Sequence, residues 1–172
     1  ERRIIFADIG ALAMYQISGV VLAGTDSIVI SAMLGTSLVG YLSYYKLISN
    51  GITGLCQQFF NGANASVGNL AVEGDGEKQY ELFKGLNFGI FWISAFCASA
   101  MFLLFNPFIE LWLGEKYVMS QYVAMFIALD FYVTNMVRVV ALFRTANGLF
   151  VYGKYRPIVM SIMNVILSVV FG

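Results

Sequence analysis

The chain has 172 residues, of which 59% are hydrophobic and only 12% are charged, and its ten basic residues balance ten acidic ones. A soluble domain carries about twice that fraction of charge, because water must solvate its surface. The neutral balance gives no basic surface for nucleic acid, and the absence of histidine excludes Ser-His-Asp and Cys-His catalysis. We therefore expect a membrane protein that is not an enzyme, uses no cofactor or metal, and does not bind nucleic acid.

Five long apolar stretches alternate with short polar breaks along the chain. Each is longer than the roughly 10 residues of a membrane barrel strand, so in lipid the stretches must be helices, which satisfy their own backbone hydrogen bonds. The sequence therefore predicts an all-α, polytopic membrane helix bundle with five transmembrane helices. These predicted helices cover residues 4–34, 38–70, 80–105, 118–145 and 157–171.

Three of the breaks have features of their own. Residues 71–79 combine glycines with charged side chains and predict an aqueous loop. Asn106-Pro107 is expected to end the third helix, because proline lacks an N–H and disfavours a helical conformation in the residue before it. Residues 108–117 mix aromatic with charged side chains, so they are expected to lie at the membrane surface.

The basic residues fall mainly at alternate breaks, and the opposite side of the membrane receives only Lys116. Cytoplasmic loops are enriched in Lys and Arg, so the N-terminus is predicted to be cytoplasmic. The basic residues on that side are Arg2, Arg3, Lys78, Lys84, Arg144, Lys154 and Arg156, and Arg138 lies close to it. The chain starts without Met, and its fifth stretch stops near the minimum spanning length of about 17 residues. We therefore expect it to be a fragment of a larger protein.

Three charged residues fall at depths where lipid makes them unfavourable. Asp26 and Lys46 lie about eight residues from the outer ends of the first and second helices, so both are expected at a depth of about 12 Å. They could form a structural ion pair, or they could bind substrate or a coupling ion. Asp130 is expected near the midplane, either protonated and hydrogen-bonded to a neighbouring helix or coupled to an ion. Arg138 and Arg144 fit inner-interface anchors and are also placed to meet a phosphate arriving from the cytoplasm.

The second helix is unusually polar for a membrane span, which predicts that it lines a cavity. Its glycines and alanines are attributed to close packing with neighbouring helices, whereas packing does not explain its amides and tyrosines. Cys56 and Cys97 are interpreted as small buried residues. The polar residues of this helix are Tyr44, Tyr45, Asn50, Gln57, Gln58, Asn61, Asn64, Ser66 and Asn69.

Together, several short motifs resemble the bacterial polysaccharide (Wzx-like) flippases of the multidrug/oligosaccharidyl-lipid/polysaccharide exporter superfamily. The first group is Thr25-Asp26-Ser27-Ile28-Val29-Ile30-Ser31, Val39-Gly40-Tyr41, Tyr44-Tyr45 and Ala65-Ser66-Val67-Gly68-Asn69-Leu70. The second group is Asn106-Pro107-Phe108-Ile109-Glu110-Leu111-Trp112-Leu113-Gly114, Gly148-Leu149-Phe150, Lys154-Tyr155-Arg156-Pro157 and Asn164. The likeness covers nearly the whole chain, in order and at fitting spacing.

The resemblance implies a larger transporter with two lobes of six helices, in which residues 1–172 form part of the second lobe. Such proteins move an undecaprenyl-diphosphate-linked oligosaccharide across the bacterial plasma membrane for capsule, O-antigen or exopolysaccharide synthesis, by ion-coupled alternating access. The expected partners are then membrane lipids, that lipid-linked glycan and the missing first lobe. This half lobe is expected not to transport alone.

A headgroup of sugars and diphosphate needs a wet cavity with cationic, hydroxyl, amide and aromatic groups. The residues expected to bind it are Lys46, Tyr45, Asn50, Gln57, Arg138 and Arg144. Asp26 and Asp130 are expected to couple to an ion, and Lys46 could instead balance Asp26.

Other functions remain open on the sequence. A drug/cation antiporter or a lipid II flippase of the same superfamily is the main alternative, although Lys46 argues against a cavity built for cations. A membrane glycan-modifying enzyme is disfavoured by the absence of histidine. A structural membrane subunit is a third possibility.

Overall fold

The computed structural model describes residues 36–148, together with the single positions Ser31, Val159, Ile162, Met163 and Ile166. Residues 36–148 form three α-helices and one 3₁₀ helix, with no strand among them. In chain order these are α1, Thr36–Glu73; α2, Gly76–Leu113; the 3₁₀ helix Glu115–Tyr117; and α3, Gln121–Ala146. The all-α prediction is confirmed for this part of the chain. The number of five helices is not supported, and the predicted helices 4–34 and 157–171 lie outside the described residues apart from these single positions.

The three helices match the second, third and fourth predicted stretches, with two clear errors. Helix α3 agrees with the predicted range 118–145 within a few residues, and α1 extends the predicted range 38–70 slightly at both ends. Helix α2 is eight residues longer at its C-terminal end than the predicted range 80–105. The predicted loop 71–79 is also wrong, because only Gly74 and Asp75 interrupt the helices there.

The turn between α1 and α2 is short because two residues supply the required backbone features. Gly74 adopts φ +74°, a left-handed conformation that a residue without Cβ reaches readily. The Asp75 side chain accepts from the backbone N–H of Lys78 at 3.0 Å and caps α2. Its carboxylate also lies 2.9 Å from the Lys78 Nζ. The charged residues that predicted a loop therefore form the first turn of a helix instead.

Helix α2 continues through Pro107, contrary to the prediction that Asn106-Pro107 ends it. Proline cannot donate to the carbonyl of Leu103, four residues earlier, and its ring crowds that turn. Close to this turn, the Gln121 Nε2 donates to the Phe102 carbonyl at 2.7 Å, one residue before the carbonyl that Pro107 leaves without its helical donor. Membrane helices tolerate proline when side chains from other helices satisfy nearby backbone groups. The residues predicted as an interfacial segment therefore include the end of α2, followed by the 3₁₀ helix.

Residues 41–147 form one compact unit, in which α2 and α3 run antiparallel. Phe83 stacks edge-to-face on Phe143 at 5.3 Å near one end of this pair, and Gln121 reaches Phe102 near the other. Helix α1 packs on both, running parallel to α3. One buried cluster joins Tyr45, Cys56, Met101, Phe105, Ile109, Ala124, Ala128 and Phe131. A smaller cluster joins Phe60, Ile90 and Val139.

Helices α2 and α3 are each long and apolar enough to cross a membrane. Only 22% and 28% of their most apolar segments are buried, whereas the core helix of a soluble protein is mostly buried. Large apolar side chains on them point outward, including Phe96 at 75% exposure and Phe126 at 64%. Helix α1 does not meet the same criterion, so its predicted membrane crossing stays a prediction.

Candidate functional site

The polar residues of α1 line up along one face of that helix. Lys46 and Gln57 are eleven residues apart, which is close to three full turns, and Asn50, Asn61 and Asn64 fall near the same line. We call these five residues the α1 stripe, and all five are exposed. The buried residues of α1 repeat on a different face, at Tyr45, Cys56, Phe60 and Val67. The helix therefore packs with one face and presents a polar face that the described residues leave uncovered.

Helix α3 carries a second row of polar side chains. Asp130, Thr134 and Arg138 are spaced by four residues and so follow one another along a single face. We call these three residues the α3 stripe. Asp130 and Thr134 are exposed and Arg138 is half-buried. The buried residues of α3 occupy another face, at Ala124, Ala128, Phe131, Asn135 and Val139.

A hydrogen bond joins the two stripes. Arg138 Nη1 donates to Gln57 Oε1 at 2.6 Å, across 81 positions in the sequence. Both residues were predicted to bind substrate, and the fold brings them into contact. Arg138 has no carboxylate within ion-pair distance among the described residues, so its positive charge is solvated by a neutral amide. A cation held in this way keeps its charge available to an anion.

Lys46 and Asn50 lie on the same stripe, towards the N-terminal end of α1. Lys46 is exposed and forms no salt bridge within residues 36–148. Its predicted partner Asp26 lies outside the described residues, so the Asp26–Lys46 pair stays a prediction. The two cations of this polar surface are Lys46 and Arg138. Arg138 contacts α1 at Gln57, three turns from Lys46, and Asn50 lies between these two positions.

Asp130 lies opposite the buried face of α3 and is exposed. Among the described residues it has no hydrogen-bond or ion-pair partner. Its neighbours one turn away on either side are Phe126, which is exposed, and Thr134. The sequence left open whether Asp130 bonds to a neighbouring helix or couples to an ion, and both remain predictions.

Tyr45, also predicted to contact substrate, is fully buried rather than open to a cavity. Its hydroxyl donates to Asn106 Oδ1 at 2.8 Å and accepts from the Met119 N–H at 2.9 Å. Its ring stacks edge-to-face on Phe105 at 5.4 Å. The hydroxyl proton is thus already engaged in helix packing, which separates Tyr45 from the exposed residues of the α1 stripe.

Arg144 lies in the last turn of α3, where a cation interacts favourably with the helix dipole. It is half-buried, and its Nε is buried without a hydrogen-bond partner among the described residues. Nearby, the Asn147 Nδ2 caps α3 and donates to Gln79 Oε1 at 3.1 Å. The expected role of Arg144 at the inner mouth is a prediction that these contacts leave open.

The close packing expected at the glycines of α1 is not seen among the described residues, and it stays a prediction. A Cβ built on Gly51, Gly54, Gly62 or Gly68 meets no atom within 4 Å, so neither α2 nor α3 approaches these positions closely. Close packing had been expected because small residues let membrane helices approach each other. The contacts that hold α1 instead use large side chains, among them Tyr45 and Phe60.

Four structurally important residues were missed by the sequence reasoning. Asn106 was interpreted only as part of a helix stop, and Gln121 received no role. Ser94 and Asn135 are fully buried between α2 and α3, and the Ser94 Oγ and Asn135 Oδ1 have no hydrogen-bond partner among the described residues. For Ser94 and Asn135, the sequence feature that could have indicated a buried role was a single small polar residue within an apolar stretch.

No group of three metal-ligating side chains occurs within the part of the chain that the structure describes. No family model, curated protein or solved structure matches this chain.

Proposed function

We propose that this chain is part of a flippase that carries undecaprenyl-diphosphate-linked oligosaccharide across the bacterial plasma membrane. The observation that carries the proposal is the Arg138–Gln57 hydrogen bond, which joins two exposed polar stripes on helices of an otherwise apolar bundle. A stable membrane helix turns such side chains towards water, substrate or another polar helix, because lipid solvates them poorly. This polar surface supports the proposal of a transporter.

The chemistry of the two stripes suits a glycolipid headgroup. Arg138 offers a planar guanidinium that binds phosphate oxygens in pairs, and Lys46 offers a second positive charge. The amides Asn50 and Gln57 between them provide donors and acceptors for sugar hydroxyls. An oligosaccharide diphosphate needs both kinds of contact, which is the basis for choosing it over a purely apolar substrate.

In the whole protein we propose five spans from this region, with the N-terminus of the chain in the cytoplasm. The five helices would form part of one lobe, and a second lobe would close the polar surface on its other side. Helix α1 then crosses the membrane with its polar stripe facing the cavity. Asp26 and Asp130 would couple transport to an ion.

Reconstituted vesicles containing the full transporter provide the test. The lipid-linked oligosaccharide carries a fluorophore, and its outward movement is followed by exposure to a membrane-impermeant quencher. Arg138→Gln, Lys46→Ala and Asp26→Asn should each reduce transport at least tenfold at normal protein levels. Lys84→Gln is the matched control, since Lys84 sits over the Tyr80 ring outside both stripes. Full transport by the Arg138 and Lys46 variants would refute the proposal.

A drug/cation antiporter of the same superfamily is the second candidate, and Asp130 favours it. This carboxylate is exposed on α3 with no partner among the described residues, as a cation site requires. The same vesicles distinguish the two functions, because an antiporter would move an organic cation in exchange for an ion and would lose activity in Asp130→Asn. Lys46→Ala would then leave activity unchanged.

A further inference from the structure

Helix α2 contains one point at which its own backbone hydrogen bonding is incomplete. Pro107 lies six positions from the C-terminal end of the helix, and it supplies no N–H to the carbonyl of Leu103. A proline inside a helix is the usual cause of a bend and lowers the resistance to further bending. The segment after Pro107 consists of the last turns of α2, the 3₁₀ helix and the short loop that leads to α3.

A ring of three hydrogen bonds lies against this point. The Tyr45 hydroxyl donates to Asn106 Oδ1 at 2.8 Å, Asn106 Nδ2 donates to the Met119 carbonyl at 3.1 Å, and the Met119 N–H donates to the Tyr45 hydroxyl at 2.9 Å. Asn106 Nδ2 also donates to Gln121 Oε1 at 2.8 Å, and Gln121 Nε2 donates to the Phe102 carbonyl at 2.7 Å. Each of these polar side chains both donates and accepts. All three side chains are therefore engaged in contacts within the fold, which indicates a mechanical role.

The network uses side chains to join three parts of the fold that are far apart in the sequence. Tyr45 belongs to α1, Asn106 precedes the proline of α2, and Met119 lies in the connection that leads into α3. The Tyr45 ring is fully buried, so water cannot replace its hydroxyl without disturbing the packing around it. A movement of α1 along α2 must therefore break the Tyr45 bonds first.

We propose that Asn106-Pro107 is a hinge in α2 and that the Tyr45 hydroxyl is its latch. With the latch closed, the segment from Pro107 to Ser120 is held in one orientation against α1 and α3. When α1 shifts, the hydroxyl leaves Asn106 and Met119, and this segment swings at Pro107. The hinge couples the position of α1, which carries the α1 stripe, to the segment that follows α2. The inference does not depend on which substrate the stripe binds.

Amide hydrogen exchange in the full chain, reconstituted in phospholipid, tests the latch. Tyr45→Phe removes one oxygen and keeps the ring. We expect exchange of the amides from Phe108 to Ser120 to accelerate at least tenfold, with changes within twofold for the amides before Phe102. Tyr44→Phe is the matched control, because Tyr44 stacks on Trp112 and Tyr117 but its hydroxyl makes no hydrogen bond among the described residues. It should leave both segments unchanged.

The hinge is tested separately by Pro107→Ala, which restores an N–H for the Leu103 carbonyl. In combination with Tyr45→Phe it should remove most of the added exchange, since a continuous helix resists bending. If Tyr45→Phe folds poorly, Pro107→Ala alone tests the hinge. It should then slow amide exchange after position 107 relative to the unaltered chain. Uniform acceleration along all of α2, or no change after position 107 in either variant, would overturn the proposal.

Discussion

Arg138 on α3 and Gln57 on α1 are held together by a hydrogen bond of 2.6 Å, the shortest link between these two helices that involves a charged side chain. A cation bound to a neutral amide keeps its full charge while its position is fixed. The contact therefore orients Arg138 along the surface formed by the two stripes, and it can be tested independently of transport.

Replacing Gln57 with Leu should weaken the packing of α1 on α3. A hydrogen bond to a charged group contributes about 1.5 to 3 kcal/mol when well buried, and the half-exposed position of Arg138 should reduce the effect to about 1 kcal/mol. Gln58→Leu is the matched control, since Gln58 is exposed and has no hydrogen-bond partner among the described residues. Thermal unfolding in detergent measures both variants. Equal thermal midpoints for Gln57→Leu and Gln58→Leu would show that the Arg138–Gln57 hydrogen bond does not contribute to stability.

Ser94→Ala should leave the protein equally stable or more stable. The Ser94 Oγ is buried without a partner among the described residues, so the substitution removes an unsatisfied hydroxyl and no hydrogen bond. We expect a gain of up to about 1 kcal/mol in the free energy of unfolding. In the control Ser99→Ala, an exposed hydroxyl that bonds to the Ala95 carbonyl is lost, with little effect. A loss of more than about 1 kcal/mol in Ser94→Ala would reveal a hidden partner for Oγ.

The cap at the start of α2 should make the first turn sensitive to pH. The Lys78 backbone N–H, and then its side chain, hold the pKa of the Asp75 carboxyl below its usual value. A lowered folded-state pKa contributes stability above the unfolded value of about 3.9, and this is lost as the pH falls through the folded pKa. Asp75→Asn keeps the cap without the charge. Its thermal midpoint should therefore fall less than that of the unaltered protein on acidification, and parallel curves would contradict the assignment.

Cys56 and Cys97 should cross-link between α1 and α2. Cys56 is buried in the larger cluster, and Cys97 packs against that same cluster from α2. A protease site inserted at the exposed Gly74 divides the chain between them. After treatment with a short bifunctional thiol reagent and cleavage, the two pieces should migrate together on a denaturing gel. Cys97→Ser should abolish the link, and separate migration without that substitution would place the helices too far apart.

The two tryptophans of α2 should report different depths in lipid. Trp92 is 60% exposed in the apolar part of the helix, and Trp112 is 51% exposed near its C-terminal end. Twenty residues of helix separate them by about 30 Å. With Trp112→Phe, the fluorescence of Trp92 should be quenched best by lipids brominated deep in their chains. With Trp92→Phe, shallow bromine should quench Trp112 more strongly, as for an interfacial aromatic residue. Quenching independent of depth would argue against a spanning α2.

The hydropathy of the chain was sufficient to locate α2 and α3, because a long uninterrupted apolar stretch has few stable forms other than a helix. Their ends were less predictable. Asn106-Pro107 has the local signature of a helix stop, yet α2 continues through it, and Gln121 donates to the Phe102 carbonyl on the preceding turn. Likewise, the charges around Asp75 resemble a loop, but one side-chain cap turns them into a helix start.

The residues of the candidate site were likewise only partly predictable from the sequence. Lys46, Asn50, Gln57, Asp130 and Arg138 could be chosen from the sequence because each is polar within an apolar surrounding. Tyr45 met the same criterion, but the fold buries it in the network around Asn106.

By itself, the sequence determined the helical class, the approximate positions of three described helices and the polar residues that lipid disfavours. These follow from local composition and from the geometry of a single helix. Only the tertiary structure decided which polar side chains meet, that Arg138 bonds to Gln57, and that Tyr45 bonds to Asn106. Those contacts join residues 61 to 81 positions apart, and the rotation of one helix against another depends on all the side chains packed between them.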